Sequence, residues 1–266
     1  MKARIGQLES NLLGYAQMRK SDVIRRGDVC TPLEITPKQE RELFSRMCRR
    51  GMLIRLIRGA YLVPMRMPLG GRFAASEYTI LSKLMRISGA RYQICGPNAF
   101  NIYGFSEQIP SRTYVFNDKF SGDRNIGGQQ FVFIKCISGK LGAARVLKTG
   151  DGEQVLISTK ERTIVDALNE WSRFATIPDV YGWIGTAIKE DPKFMGSLVK
   201  CAVKYAGQAS LRRLGYCLDR TLGNEELISP LLKKIRLSRS YIPLVPGKPE
   251  KGGVDSKWGI IRNDGK

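Results

Sequence analysis

This chain of 266 residues contains no histidine, which restricts the catalytic and metal-binding groups it can use. Without histidine, Ser-His-Asp triads, Cys-His dyads, histidine metal ligands and histidine acid–base catalysis are all excluded. The six cysteines are widely spaced and form no C-x-x-C pair, so we expect reduced thiols rather than a metal site. No P-loop, G-x-G-x-x-G, G-x-S-x-G or H-E-x-x-H motif is present. The sequence therefore predicts no cofactor, no metal and no catalytic residue.

Carboxylates are the remaining route to catalysis. An enzyme that processes nucleic acid could use them to hold a metal ion for phosphoryl chemistry. The acidic residues of the central region that could do so are Asp118, Asp123, Asp151, Glu161 and Asp166. Their spacing matches no ligand motif, and loop carboxylates are commonly turn formers. Asp166 and Glu170 share a helical face, which favours a solvated surface pair over an active site. A nucleic-acid-processing enzyme that depends on carboxylates and metal is therefore the alternative hypothesis.

Basic side chains carry the strongest functional signal, along residues 36–51. Thr36 and Gln39 match a capping box, Pro37 suits the first helical position, and Gly51 provides a stop. A helix built from these residues has one apolar face. The other face presents a mostly cationic set that we predict to contact DNA: Lys38, Arg41, Ser45, Arg46 and Arg49.

A basic β-hairpin is predicted directly after this helix. Two runs rich in β-formers, residues 53–57 and 60–63, are separated by Arg58-Gly59, which suits a tight turn. The hairpin carries Arg55 and Arg58. A basic helix followed by a basic hairpin is the arrangement of a winged helix, in which the helix reads base edges and the hairpin holds phosphates. The alternative is a helix whose charges only keep its surface solvated.

The overall charge favours a polyanionic partner. Lys and Arg number 44 against 24 Asp and Glu, a formal charge of +20. The net charge is +8 in residues 1–66, +3 in 67–192 and +7 in 193–239. The last region suggests a secondary basic surface, which could equally be a solubilising face. It comprises Lys200, Lys204, Arg212, Arg213, Lys233, Lys234, Arg236 and Arg239.

The predicted fold class is α+β, with two units. Residues 1–66 form a winged helix-turn-helix: a helix, a short helical turn at residues 22–24, the basic helix and the wing. Residues 65–72 read as a linker because proline and glycine oppose regular structure. Residues 67–158 are predicted to be mixed α+β, 159–240 helical, and 241–266 an extended tail anchored by Trp258.

The periodicities place individual elements in the second unit. A helix is predicted over residues 73–87. Strands are predicted at residues 92–95, 113–117, 131–136, 143–147 and 154–157. Further helices are predicted at 160–174, 178–190, 192–205, 209–222 and 225–235. Phe100, Tyr103 and Phe105 could stack on bases, but aromatics at this density are more often core residues, which we favour.

No segment approaches the length of a membrane span, and the amino terminus lacks a secretory apolar core. We therefore expect a cytoplasmic protein without a membrane partner.

Five segments together resemble the AbiEi family, the antitoxin and transcriptional regulator of bacterial type IV toxin–antitoxin pairs. They are residues 50–61 (RGMLIRLIRGAY), 96–100 (GPNAF) with Gly104-Phe105 and Ile109-Pro110, 158–166 (STKERTIVD), 210–216 (SLRRLGY), and Gly253 with 257–260 (KWGI). Glycine, arginine and aliphatic residues recur by chance, so the specificity comes from the order of the five. In this order they are spread over most of the chain, from residue 50 to residue 260.

The resemblance implies an amino-terminal winged helix that binds inverted repeats in its own promoter as a repressor. It implies that residues 67–266 are an antitoxin-type domain, which counters a nucleotidyltransferase-like toxin in abortive infection. By position, Lys38, Arg41, Ser45, Arg46 and Arg49 would face the major groove, with Arg55 and Arg58 on the wing. Members of the family without an adjacent toxin are also plausible. A stand-alone winged-helix binder of DNA or RNA is therefore a further alternative.

Overall fold

The computed structural model describes residues 5–66, 71–222, 225–236 and 240–265. These residues form helices and three β-sheets in a mixed α+β fold, as the sequence predicts. Within the described residues, no helix has both the length and the apolar character needed to cross a bilayer.

The amino-terminal part contains two helices and a small antiparallel sheet. Its elements are α1 (Gln7–Met18), β1 (Val23–Arg25), α2 (Pro37–Arg49), β2 (Ile54–Ile57) and β3 (Ala60–Leu62). The sheet has the order β1-β3-β2. Residues 22–24 were predicted as a helical turn, and this prediction is wrong: Val23 and Ile24 lie in β1, opposite Leu62 and Tyr61. β-branched residues suit a strand, and pairing with β3 satisfies their backbone groups.

Helix α2 and the hairpin after it form where the sequence predicts them. The Thr36 amide donates to Gln39 Oε1 over 2.8 Å, and the Gln39 amide donates to Thr36 Oγ1 over 3.3 Å. This capping box satisfies two backbone donors at the helix start. Strands β2 and β3 join at Arg58-Gly59, where Gly59 adopts a φ of +82°. Glycine adopts positive φ without steric cost, so the tight turn forms here.

The middle part is a six-stranded mixed sheet with a helix on one face. Its elements are α3 (Glu77–Ser88), β4 (Tyr92–Ile94), α4 (Pro97–Ile102), β5 (Thr113–Asn117), β6 (Gly122–Ile126), β7 (Gln129–Lys135), β8 (Ala144–Lys148) and β9 (Gln154–Ser158). The strand order is β6-β7-β5-β4-β9-β8. The five predicted strands are confirmed, but β6 and α4 were missed. β6 is polar, and it forms because the two-residue turn Gly127-Gly128 pairs it with β7.

The next part is a helical bundle, as predicted. Its helices are α5 (Lys160–Asn169), α6 (Trp171–Phe174), α7 (Asp179–Glu190), α8 (Phe194–Tyr205), α9 (Gln208–Leu222) and α10 (Glu225–Lys234). The single helix predicted over residues 160–174 is interrupted at Glu170, whose φ of −103° and ψ of 29° leave the helical region. Leu168, Ile184, Leu198 and Leu214 lie in the shared core.

The carboxy-terminal tail crosses the bundle as a strap. It contains β10 (Ile242–Pro243), β11 (Val254–Asp255) and β12 (Ile260–Ile261), in the order β10-β12-β11. Trp258 is fully buried, which confirms the predicted anchor. Its ring lies where a side chain on Gly215 of α9 would otherwise project, so only glycine fits at that position. Trp258 Nε1 donates to Asp219 Oδ2 over 2.8 Å.

The small amino-terminal sheet has an apolar core on each side. Ile24 of β1 packs with the amino-terminal helices, as do Leu53 and Val63 at the ends of the hairpin. Ile54, Leu56 and Leu62 belong to the core of the middle part. The boundary near residue 66 stays a prediction, and residues 67–70 of the predicted linker lie outside the described ranges. The sheet thus connects α2 to the larger part through buried side chains.

Candidate nucleic-acid interface

Helix α2 presents a polar stripe to solvent and buries its opposite face. Lys38, Arg41, Ser45 and Arg49 are all exposed. At 100° per residue they fall within about 80° of each other around the axis. The opposite face holds the buried side chains Glu40, Leu43, Phe44 and Met47. The amphipathic arrangement predicted from the sequence is therefore present.

The cations of this stripe are not neutralised within the protein. Among the described residues, Lys38, Arg41 and Arg49 form no ion pair with a carboxylate. The exposed carboxylate of Glu42 lies on the same side of α2 and pairs with none of them, so the three cations outnumber the one acid on this face. The stripe is therefore electrostatically available to a polyanion.

Arg46 lies beside the stripe and has a partner inside the protein. Its Nε donates to Glu9 Oε1 over 3.1 Å, while Arg50 Nη1 lies 2.6 Å from Glu9 Oε2. The Glu9 carboxylate is only 2% exposed. Burial alone would raise the pKa of Glu9, but hydrogen bonds from the Gly6 amide, Arg46 and Arg50 outweigh burial and lower this pKa. Arg46 thus joins α2 to α1, and its predicted contact with DNA stays a prediction.

The hairpin places two further cations next to α2. Arg55 and Arg58 are exposed and form no ion pair in the part of the chain that the structure describes. Burial raises the pKa of Cys48 and of Tyr61, and in both cases the charge of Arg55 lowers it in opposition. Arg55 therefore lies close enough to α2 and to β3 for its charge to act on the Cys48 thiol and the Tyr61 hydroxyl.

An aromatic contact fixes the hairpin relative to the helix. The rings of Phe44 in α2 and Tyr61 in β3 stack with centroids 4.4 Å apart. This contact packs the hairpin against the buried face of α2.

Three exposed arginines near the hairpin were not among the predicted contacts. Arg26 donates its backbone N–H to Gly59 O over 2.8 Å, and its side chain lies against the hairpin turn. Arg25 precedes it at the end of β1, and the Arg72 side chain lies against Gly51. Arg25 and Arg26 owe their positions to the long-range pairing of β1 with β3, and Arg72 is placed by the hydrogen bond from the Phe73 amide to Gly51 O, over 2.7 Å. Local periodicity reveals neither contact. In the sequence, only their positive charge indicated that these three arginines could contact DNA.

The predicted secondary basic surface is corrected at two positions. Lys200, Lys204, Lys233, Lys234 and Arg236 are exposed, as predicted, whereas Arg239 lies outside the described ranges. Arg212 and Arg213 are each only 5% exposed, so they do not belong to a surface.

Buried carbonyl groups explain where these two arginines point. Arg212 donates from Nε to Trp258 O over 2.9 Å and from Nη2 to the carbonyls of Ser240 and Gly259. Arg213 donates to Pro243 O over 3.1 Å. Burial lowers the pKa of both guanidinium groups. They hold the tail on α9, since guanidinium donors satisfy carbonyls that burial would leave unpaired.

The aromatic cluster near α4 is part of the core, as favoured from the sequence. Phe100 is 4% exposed and packs on Phe174 and Trp183. Phe105 stacks on Trp183 with centroids 5.3 Å apart. The ring faces are thus occupied within the protein.

The acidic residues of the alternative enzyme reading are held separately. Their partners are Ser138 for Asp118, Arg112 for Asp123, Thr79 for Asp151, Ser197 for Glu161 and Arg162 for Asp166. Among the described residues, no three His, Cys, Asp or Glu side chains come together in a group that could hold a metal ion. The prediction that Asp166 lies on a solvated surface is wrong, since its side chain is only 2% exposed. It lies on the buried face of α5, where its carboxylate accepts hydrogen bonds from Ser158 and Arg162.

Comparisons with known proteins give a fold relationship. No protein-family model matches the chain, and no curated protein matches its sequence. The crystal structure of RV2827C protein from Mycobacterium tuberculosis superposes with a TM-score of 0.65 at 13% sequence identity. The superposition covers 97% of this chain and 92% of that chain. The two proteins share a fold over nearly their whole lengths.

Proposed function

We propose that this protein is a non-catalytic, sequence-specific DNA-binding repressor of its own operon, with α2 as the recognition helix of a winged helix. The observation that carries the proposal is the exposed stripe of α2, whose three cations have no carboxylate partner among the described residues. The order helix, strand, helix and two-stranded hairpin supports the winged-helix assignment.

The dimensions of α2 suit the major groove of DNA. Its 13 residues span about 20 Å at 1.5 Å per residue. The groove accommodates an α-helix, so Arg41, Ser45 and Arg49 would reach base edges along its length. The hairpin, held beside α2 by the Phe44–Tyr61 stack, would place Arg55 and Arg58 on the flanking phosphates.

We further propose that the protein is cytoplasmic and that its residues 67–266 counteract a nucleotidyltransferase-like toxin, whose gene lies beside its own. This part of the proposal rests on the resemblance to the AbiEi family. Two of the segments that carry the resemblance, residues 210–216 and 257–260, meet in space where Trp258 packs on Gly215. In this chain the contact attaches the tail to α9.

The DNA-binding proposal is tested by titrating the purified protein against the duplex upstream of its operon and against a shuffled duplex of equal length. We expect preference for the upstream duplex that persists at physiological salt, with a linear fall of log K against log salt. Equal affinity for both duplexes, lost together as salt rises, would contradict sequence-specific repression. A preference for single-stranded RNA would instead favour the RNA-binding alternative.

The antitoxin proposal needs a variant that separates the two activities. Arg41→Glu with Arg49→Glu changes two exposed side chains of α2 and leaves the buried face intact. We expect this variant to lose repression of a promoter reporter while still rescuing growth when the adjacent reading frame is induced from a second promoter. Loss of rescue at an unchanged protein level would contradict a separate antitoxin part.

A further inference from the structure

A cavity of about 310 Å³ lies where the hairpin meets the middle part of the protein. Its lining comes from the end of α2, from strand β2, from Phe73 and from the turn between β6 and β7. One of the lining side chains is Arg55, which is proposed above to hold a DNA phosphate. A ligand in this cavity would therefore contact both the DNA-binding hairpin and the middle part.

Most of the cavity lining is apolar. Leu53, Ile54 and Ile126 are buried core residues, and the half-buried Phe73 packs against the core of the middle part. Gly127 brings the β6–β7 turn close to β2, since a Cβ at this position would lie 2.8 Å from the Ile54 side chain. A lining fixed by two hydrophobic cores is preformed, and it favours a ligand with a compact hydrocarbon body.

Two side chains of the lining carry hydrogen-bond donors without an acceptor. Arg55 is exposed, and its guanidinium group forms no ion pair and no hydrogen bond with any described residue. Asn125 Oδ1 accepts from the Gly128 N–H over 3.1 Å, which leaves the two N–H groups of Asn125 Nδ2 without an acceptor in the described chain. Guanidinium and amide groups are the donors with which proteins hold carboxylates.

The charge of the cavity favours an anion. No aspartate or glutamate is among the described residues that line it. The carbonyls of Cys48 and Gly51 already accept from the Gly51 N–H over 3.0 Å and from the Phe73 N–H over 2.7 Å. The Cys48 thiol is neutral at pH 7, because burial raises its pKa by more than the charge of Arg55 lowers it. Arg72, whose side chain lies against Gly51, adds a second exposed cation.

We infer that this cavity binds a small organic monocarboxylate with a compact apolar body, and that this ligand weakens DNA binding. Its carboxylate accepts from Arg55 and Asn125, and its body packs against Phe73 and the buried aliphatic side chains. The ligand and a DNA phosphate compete for the same Arg55 guanidinium. The competition rests on the proposed DNA binding, whereas the binding of the carboxylate does not.

The first experiment is isothermal titration of the full chain, without DNA, with phenylacetate as the probe. Phenylacetamide has the same body without the charge, and acetate has the charge without the body. We expect phenylacetate to bind more tightly than either by on the order of tenfold or more. Equal binding of phenylacetate and acetate would show adsorption of anions to a basic protein and overturn the inference. Failure of the wild-type chain to bind phenylacetate would overturn it as well.

Asn125→Asp tests the polar end of the cavity. Aspartate has the size of asparagine and keeps an acceptor for the Gly128 N–H, but it replaces the free amide donor with a negative charge. The variant should weaken phenylacetate binding by on the order of tenfold or more. Gln154→Glu is the matched control, because it makes the same change of charge at an exposed position outside the lining. Equal weakening in the two variants would contradict a site at Asn125.

Cys48 allows the apolar space to be filled while both donors stay in place. Cys48→Leu adds apolar atoms to the α2 side of the lining, whereas Cys48→Ser keeps the size of the side chain. We expect the leucine variant to lose phenylacetate binding and the serine variant to retain it. Undiminished binding by a Cys48→Leu variant whose thermal midpoint shows it to be folded would overturn the location of the site. If that variant does not fold, Asn125→Asp and its control decide.

The second experiment titrates the upstream duplex in the presence of saturating phenylacetate, with acetate at the same concentration as the control for ionic strength. We expect phenylacetate to lower the duplex affinity by on the order of tenfold. The slope of log K against log salt should fall by about one, as for the loss of one phosphate contact. Cys48→Leu should bind the duplex as the wild type does and should not respond to phenylacetate.

The two experiments separate this inference from the DNA-binding proposal. An unchanged duplex affinity at saturating phenylacetate would overturn the competition for Arg55. If the wild-type chain binds no duplex at all, the DNA-binding proposal fails, and the titrations without DNA still decide whether the cavity holds a carboxylate.

Discussion

Arg46 in α2 donates a hydrogen bond to Glu9 in α1 over 3.1 Å, and this contact separates two classes of cation on one helix. Arg46 is committed to a buried carboxylate, whereas Arg41 and Arg49 on the neighbouring stripe have no such partner among the described residues. We therefore expect Arg46 to contribute to the stability of the amino-terminal part and the stripe to contribute to DNA affinity.

The first prediction concerns stability and pH. Glu9→Gln should lower the free energy of unfolding at pH 7 by about 1–3 kcal/mol, because hydrogen bonds to charged partners are lost from a buried site. The pKa of Glu9 is lowered below 4.5 in the folded protein, so its stabilising effect is present above that pH and is lost as pH falls. Urea denaturation from pH 7 to pH 3 should show the two proteins converging. A constant difference across this range would contradict the ion pair.

The second prediction concerns sequence readout by the stripe. Arg41→Ala and Arg49→Ala should each weaken binding to the upstream duplex by about 1–3 kcal/mol and relax discrimination at particular base pairs, as expected for contacts to base edges. Competition binding against a panel of single-base variants of the operator measures this. If Arg46→Ala alone relaxed discrimination while the other two variants did not, the assignment of the stripe would be wrong.

The third prediction concerns the hairpin. Arg55→Ala with Arg58→Ala should weaken binding to all duplexes similarly and reduce the slope of log K against log salt by about two, roughly one for each phosphate contact. Lys148→Ala removes an exposed cation of β8 that lies elsewhere, and it should leave the slope unchanged. An unaltered slope in the double variant would remove the hairpin from the interface.

The fourth prediction concerns the tail. Gly215→Ala places a methyl group where the Trp258 ring lies, so it should destabilise the protein by about 1–3 kcal/mol through overpacking. Gly196→Ala in α8 is the control, since no atom lies within 4 Å of the added carbon and helix propensity favours alanine by up to about 1 kcal/mol. Chemical denaturation of both variants should give opposite signs. Equal stabilisation by both would contradict the close packing of Trp258.

The sequence allowed the prediction of those features that depend on short-range signals. The capping box of Thr36 and the apolar face of α2 lie within a few residues of each other, and so does the Arg58-Gly59 turn. Strand β1 was missed because Val23 and Ile24 acquire their strand character by pairing with β3, nearly forty residues later. Pairing across such distances leaves no local periodicity.

The same limit explains the misplaced arginines. Arg212 and Arg213 lie in a basic run that resembles a surface, but their acceptors are carbonyl groups at Pro243 and Trp258, in the tail. Asp166 was likewise expected on a surface, because its partner Ser158 belongs to a strand that the helix covers. Periodicity assigns faces to a helix, and it does not show what will cover them.

The sheet shared by two cores has a consequence for recombination between related proteins. Ile54, Leu56 and Leu62 leave the amino-terminal part and fill the core of the middle part, and Gly127 of the β6–β7 turn packs directly against Ile54. In a chimera that exchanged only residues 1–66, the side chains from β2 and β3 would no longer match the core of the middle part. They would leave a cavity there or be too large for the space. Exchange of operator specificity between homologous chains therefore requires that the α2 stripe be transplanted alone, or that the β6–β7 turn travel with the amino-terminal part.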